Sequence, residues 1–274
     1  MYKLIACDMD GTLLDKNFKF SHLDKEAIAK AQEKGVIFAL CSGRSYKSLR
    51  GFAKELGINP KGNYIVGFNG GLVYDMENET VAAKYDMDKD IAVQVVKIYD
   101  SHWDKHNMEI IIYIDGESVI FEESAVYARE YQKTSQVRWC GARDVLSDVQ
   151  KLDHIAKIIF IGENAALQSF EKELKKAFGN RVNICFSAEY LLEVGPVEHN
   201  KGSGIEWLCN QFNINLGEVI AIGDNHNDLP MIEKAGLGVA VANAAQAAKE
   251  IADYITENDC SNGAVAEVIG KFVL

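Results

Sequence analysis

Several short runs in this 274-residue chain are apolar at nearly every position: "YKLIACD", "VIFALCS", "NYIVGFN", "EVIAIGD" and "LGVAV". A strand with one wet face alternates apolar and polar residues, so runs without alternation must be covered on both faces. Amphipathic stretches lie between them. "LDKEAIAKAQEKG" reads as a helix closed by Gly35 and "SYKSLRGFAKELG" as one closed by Gly57. Further helices are expected from about Lys201 to Phe212, after Asn227, and around Ala244 to Ile251, followed by a short "DYIT". Buried strands joined by helices predict an α/β fold with a doubly wound parallel sheet. Polar groups at the ends of such strands converge on one edge, where ligands bind.

The segment from about 84 to 189 has a different texture. It carries a hairpin-like "EIIIYIDGESVIFEE" with Asp-Gly at its turn, then a strand "HIAKIIFIG", a helix "AALQSFEKELKKAFG" and a strand "VNICFSA". The expected architecture is a discontinuous core, residues 1–83 and 190–274, interrupted by an inserted α+β domain at 84–189. No internal repeat or low-complexity linker is visible.

With 48% hydrophobic residues the chain can supply a substantial core. Its formal net charge of −11, with no Lys/Arg run to offset it, argues against a nucleic-acid or anionic-membrane partner. Small anionic ligands stay compatible, since a local cluster can override the overall sign. The cysteines at 7, 41, 140, 185, 209 and 260 form no CxxC and no zinc spacing, and Cys7 and Cys41 read as buried hydrophobes. The N-terminus runs straight into a strand, and no apolar stretch approaches a membrane span. A reduced, soluble, cytoplasmic protein is expected.

Chemistry is concentrated in four places. "LIACDMDGTLLD" puts Asp8 and Asp10 one strand period apart, facing the same way if the strand continues through them. Like charges that close repel unless a cation or a proton sits between them. A carboxylate there is a candidate nucleophile, metal ligand or acid/base; the alternative is an Asx-type turn. "FALCSGRS" brings Ser42, Gly43 and Arg44 to a helix start suited to an oxyanion, or simply a serine cap. Arg44 could equally pair with a core carboxylate. Lys201 in "EVGPVEHNKGSGIEWL" opposes the helix dipole, so an anionic partner is expected, with Glu198 one candidate. In "AIGDNHNDLPM", Asp224, Asn225, Asn227 and Asp228 cluster hard oxygen donors suited to Mg²⁺, while His226 reads as a surface or substrate-facing residue.

The order DxDGT, SGR, helix-leading Lys and GDxxND resembles the haloacid dehalogenase (HAD) superfamily, and within it the Cof-type phosphatases with a class IIB cap between the second and third motifs. The resemblance covers essentially the whole chain, including "NAAQAAKEIADYIT" and "NGAVAEVI". Ser42 stands where these proteins more often carry Thr, a swap that keeps the hydroxyl.

The resemblance implies a Mg²⁺-dependent phosphatase acting on phosphate monoesters of small metabolites, such as sugar phosphates. Asp8 would become an aspartyl phosphate, and Asp10 would protonate the leaving alkoxide and then activate water. Mg²⁺ would take Asp8, the backbone carbonyl of Asp10, Asp224 and, through water, Asp228. Met9, Ser42, Gly43, Lys201 and Asn227 would hold phosphoryl oxygens. The inserted domain would act as a lid that reads the leaving group. Asn69, Gly70, Arg44 and His199 are substrate-contact candidates, with His22 a further one; Trp103, Trp139 and Tyr113 are cap aromatics that read either as contacts or as core. A monomer or small homo-oligomer is expected.

Two other functions compete with this one. A phosphomutase or phosphotransferase would use the same aspartyl phosphate. A phosphate-dependent receiver-like module would share the acidic site, a hydroxyl and a Lys, but would lack Asp10 and a large insert.

Overall fold

The computed structural model describes residues 1–102, 104–114, 118–122, 125–132, 138–142, 144–197 and 199–274. Trp103, Glu198 and the Asp-Gly of the expected hairpin turn lie outside them. The chain divides into two compact units, Met1–Ala83 with Asn200–Leu274, and Lys84–His199.

The first unit opens with β1 (Leu4–Cys7), α1 (His22–Glu33), β2 (Ile37–Cys41), α2 (Tyr46–Leu56), β3 (Tyr64–Gly67), β4 (Leu72–Asp75) and β5 (Thr80–Lys84). The second unit carries α3 (Lys89–Ser101), β6 (Met108–Tyr113), β7 (Ser118–Glu122), α4 (Tyr127–Gln132), β8 (Arg138–Ala142), α5 (Val145–Val149), β9 (Lys157–Gly162), α6 (Asn164–Phe178), β10 (Val182–Ala188) and β11 (Leu191–Pro196). The chain then returns to the first unit with α7 (Lys201–Phe212), β12 (Val219–Gly223), α8 (Leu229–Lys234), β13 (Leu237–Ala240), α9 (Gln246–Ile251), β14 (Tyr254–Ile255) and α10 (Ala264–Phe272).

The first sheet runs β14-β13-β12-β1-β2-β3-β4-β5. From β14 to β3 every pairing is parallel, and the strands inside the β14 edge are buried on both faces as their composition requires. Leu4 and Ala6 of β1, Ala39 of β2 and Val66 of β3 form one apolar face with Ile205 and Leu208 of α7 and Met231 of α8. On the other side α1 packs on β2 and α2 on β3, with α10 against α1. The unit is therefore a doubly wound α/β layer. β1 lies between β2 and β12, so the chain leaves it in both directions, which opens a crevice at its carboxyl end.

One part of this sheet departs from the expected pattern. β4 pairs antiparallel with β3, because Asn69 and Gly70 both adopt positive φ, 54° and 97°, and reverse the chain. β5 is largely exposed, so its sequence lacks the apolar signature of the inner strands.

The second sheet has the order β10-β11-β9-β6-β7-β8, antiparallel except between β7 and β8. Its core joins Ile110, Ile112, Ile158, Phe160 and Leu192 to Val95 and Val96 of α3 and Phe170 of α6. The second joint, expected near 190, lies at 199/200 instead. β11 hydrogen-bonds to β9 and β10 throughout and belongs to this sheet, so the chain crosses back only after it. Tyr113 is buried beneath Lys157 Nζ, 5.2 Å from the ring centre, a core aromatic; of Trp139 only its place in β8 is described.

A buried carboxylate links α1 to α10. Asp24 Oδ1 accepts from the Ala266 amide at 2.7 Å, while Oδ2 has no hydrogen-bond partner among the described residues. Burial pushes the Asp24 carboxyl up to about 6, against the Ala266 and Val265 amides that lower it. The folded state therefore holds a proton that the unfolded chain releases, so this group's contribution to stability is complete below about pH 4 and disappears as pH rises through 6. Asp24→Asn keeps the acceptor and removes the charge. Its melting temperature is expected to exceed that of the wild type at pH 7.5, by on the order of 2 kcal/mol in stability, with the difference roughly halved at pH 5 and closing only near pH 4; thermal melts across this range check this.

Candidate active site

Three strand ends deliver the chemistry to the crevice. Asp8 follows β1, Ser42 follows β2 and Asp224 follows β12. β1 stops at Cys7, so Asp8 and Asp10 do not share a strand face. The Met9 carbonyl accepts from the amides of Thr12, Leu13 and Leu14, which turns the chain at once. Gly11 has φ +86°, and a Cβ there would lie 2.6 Å from Asp224 Oδ2, so only glycine lets this turn close on the β12 loop.

The two aspartates consequently meet different cations. Asp8, its side chain 7% exposed, accepts a hydrogen bond from Lys201 Nζ. Asp10, its side chain 44% exposed, is clamped by Arg44, with Nε to Oδ2 at 2.6 Å and Nη2 to Oδ1 at 2.5 Å. Arg44, read from sequence either as a substrate contact or as a partner of a core carboxylate, is in the second position.

Lys201 opens α7 and is fully buried. Asn200 caps the helix by accepting from Ser203 N, while Ser203 Oγ accepts from Asn200 N, which fixes the first turn. The ammonium donates to Asp8 and, at 2.5 Å, to Asp228 Oδ1. These two acids are its anionic partners. Burial alone would lower the lysine, but Asp228 and Asp8 outweigh it and raise it above the ordinary range, so it stays charged.

Asp228 was expected to support a metal through water. Its carboxylate is already engaged, Oδ1 by Lys201 and Oδ2 by the amides of Asp224 and Asn225 at 2.9 Å each. It organises both the lysine and the β12 loop. Asp224 Oδ1 accepts from Thr12 Oγ1 at 2.8 Å.

Asp8, Asp224 and Asp228 each offer a carboxylate oxygen within 4.8 Å of the others. Burial and then repulsion from Asp228 push Asp8 well above the usual carboxylate range, despite Lys201. The same two causes raise Asp224 to about 6. The donors are hard oxygens in excess of positive charge, a set that fits a divalent hard cation. Cys7 and Cys41, beneath these acids, are pushed up by burial, Cys41 to about 12, and stay protonated hydrophobes.

Ser42 does not start a helix. Its amide still pairs with Val66 O, its carbonyl accepts from Asn69 N, and its Oγ accepts from Arg44 N at 3.2 Å, so a turn intervenes and Ser45 caps α2. Gly43 lies in that turn, half-buried. Asn227 Nδ2 donates to Asn69 Oδ1 at 3.1 Å, joining the β12 loop to the β3–β4 reversal, and Gly70 packs against Asn200. Met9 is wholly buried, and its carbonyl is taken by the amides of the turn.

His199 belongs to the second unit, where its ring stacks on Tyr85 at 3.5 Å. His22 is exposed on α1 beside Glu26, and exposed His226 leans on Asn225. Thr12 holds Asp224, and its signal was a hydroxyl inside the DxDGT turn. Asp15 Oδ1 accepts from the amides of Asn17 and Lys19, each at 2.8 Å, and these lower its pKa, that of Lys19 foremost.

A crevice at a switch point, lined by carboxylates around a buried lysine, defines a site for anionic chemistry at oxygen donors. The sequence profile of the haloacid dehalogenase-like hydrolases matches residues 5–269, and the chain belongs to that family. It is 30% identical to YxeH of Bacillus subtilis (strain 168), over 100% of this chain and 99% of that one. It is 28% identical to an HMP-PP phosphatase of Serratia proteamaculans (strain 568), over 98% and 94%. A crystal structure of a haloacid dehalogenase-like hydrolase from Bacteroides thetaiotaomicron superimposes with a TM-score of 0.84, at 30% identity, over 98% and 99%. The protein is thus an enzyme of the phosphatase class. Among the described residues no helix is long and apolar enough to cross a membrane.

Removing the buried cation leaves two carboxylates facing each other. Lys201→Met is expected to lower stability by about 3–5 kcal/mol, read as a fall in the urea midpoint. Adding Asp228→Asn should recover part of that loss.

Proposed function

We propose that the protein is a Mg²⁺-dependent phosphatase that hydrolyses phosphate monoesters of small metabolites through an aspartyl phosphate on Asp8. The observation that carries this reading is the cluster of Asp8, Asp224 and Asp228 around Lys201, at the carboxyl edge of the sheet in a chain of this family.

Asp8 is the nucleophile. One carboxylate oxygen bonds to phosphorus as the bond to the leaving alkoxide breaks, and Asp10 gives that alkoxide a proton. Asp10 then takes a proton from the water that attacks the acyl phosphate, the bond to Asp8 breaks, and inorganic phosphate leaves. Asp8, the Asp10 carbonyl and Asp224 would hold Mg²⁺, with Asp228 behind them. When bound, the cation offsets the repulsion between a carboxylate and a phosphate dianion. Ser42, the Gly43 amide, Lys201 and Asn227 would cradle the phosphoryl oxygens, and positioning of this kind supplies most of the catalysis in phosphoryl transfer. The unit Lys84–His199 is assigned the choice of leaving group. The HMP-PP phosphatase among the relatives supports a small phosphorylated metabolite as substrate.

Purified protein with Mg²⁺, assayed against a panel of phosphorylated metabolites, should release inorganic phosphate, and label from the substrate should appear there; label in a second organic ester would favour a phosphomutase. Asp8→Asn is expected to abolish turnover while keeping the fold by circular dichroism, and near-native activity would refute the nucleophile. A chelator should stop the reaction and added Mg²⁺ restore it; indifference to both would remove the metal from the scheme.

A further inference from the structure

The clamp on Asp10 is itself built. Arg44 is 16% exposed, and its guanidinium carbon lies 5.2 Å from the Phe18 ring centre and 5.3 Å from that of Phe52. A guanidinium between two aromatic faces keeps its plane while its fork meets a carboxylate. Phe52 is placed by α2 and packs edge-on against Phe20 at 5.9 Å. Phe18 reaches the guanidinium from a loop in which it adopts φ +58°, a conformation bulky residues rarely take. Asp15 holds that loop: its carbonyl accepts from Phe18 N at 2.9 Å and its carboxylate from the Asn17 and Lys19 amides. Phe18 is 49% exposed, so burial of its own ring does not account for the placement. At its other end Arg44 is tied to the site, its amide donating to Ser42 Oγ and its carbonyl accepting from Phe68 N at 3.1 Å.

We infer that Arg44, held between Phe18 and Phe52, is a positioning residue that aims the Asp10 carboxylate, and that the Asp15–Phe18 loop is part of this device. The inference rests on the proposed role of Asp10 as proton donor and acceptor. A carboxylate 44% exposed on a turn has several rotamers open to it, and two parallel hydrogen bonds from a fixed fork select one. Lysine cannot replace the fork, since its single ammonium leaves rotation about the carboxylate axis open. Arg44 acts through Asp10 and does not touch substrate.

The test is a double-mutant cycle on p-nitrophenyl phosphate, whose leaving group departs without a proton and so keeps slow variants measurable. Arg44→Lys is expected to lower kcat roughly 10- to 100-fold with KM within about threefold. Phe18→Ala, at an exposed side chain, should fold normally and lower kcat by roughly 3- to 10-fold. In an Asp10→Asn background both effects should vanish to within about twofold, because a positioning residue has nothing left to position. Arg44→Lys still costing fivefold or more in that background, or raising KM tenfold with kcat unchanged, overturns the inference and makes Arg44 a substrate contact. Asp10→Asn slow but Arg44→Lys at wild-type rate sinks the inference alone. Asp10→Asn at wild-type rate sinks the role of Asp10 and the inference with it.

Discussion

The site depends on one buried ammonium. Lys201 sits between Asp8 from the end of β1 and Asp228 from the loop after β12, and donates to both. An isolated carboxylate taken out of water would take up a proton, and two facing each other repel. The lysine satisfies one oxygen of each. Asp228 passes the constraint on through its second oxygen to the amides of Asp224 and Asn225, and Thr12 fixes Asp224 from the β1 turn. Removing the lysine would therefore disturb every acid in the cluster.

Two carboxylates separated by one residue have become independent because each found its own cation. The sequence spacing suggested a shared face and a shared charge problem. The strand ends before Asp8, however, and the Met9 carbonyl collects three amides, so Asp10 swings out to Arg44 while Asp8 turns in to Lys201. Arg44 arrives by way of β2, 34 residues after Asp10, and Lys201 by way of α7, 193 residues after Asp8. This division suits the separate jobs proposed for them, an inward carboxylate for phosphorus and an outward one for protons.

Much of this was readable because the chemistry sits at strand ends, and strand ends are marked. Apolar runs located β1, β2, β3, β12 and β13, and the polar residues following them named Asp8, Ser42 and Asp224. The rhythm also placed α7 at Lys201–Phe212. Illegible features have two causes, partners far away in sequence and local backbone geometry that side-chain pattern does not record. The partners of Lys201 are 193 and 27 residues distant, so a local reading could offer only a near neighbour such as Glu198 or an unspecified acid. The β4 reversal hung on positive φ at Asn69 and Gly70, a feature of backbone and not of pattern. β11 was passed over because only its pairing with β9 and β10 shows which unit owns it. The part Asp15 plays is not visible in the sequence because its partners at Oδ1 are backbone amides, which leave no trace there.

The charge on the inner cluster bears on what it can accept. Asp8, Asp224 and Asp228 formally carry two more negative charges than Lys201 offsets, and a phosphate monoester would add two more. Burial first, and then repulsion from Asp228, shift Asp8 and Asp224 upward, so that imbalance adds to the cost of burying charge. Protonating Asp8 would disarm the proposed nucleophile, so protons are a poor remedy for the enzyme. A divalent cation on the oxygens of Asp8 and Asp224 would relieve the same repulsion while leaving Asp8 ionised. The buried lysine offsets only part of the cluster's charge, and the proposed chemistry requires one further cation.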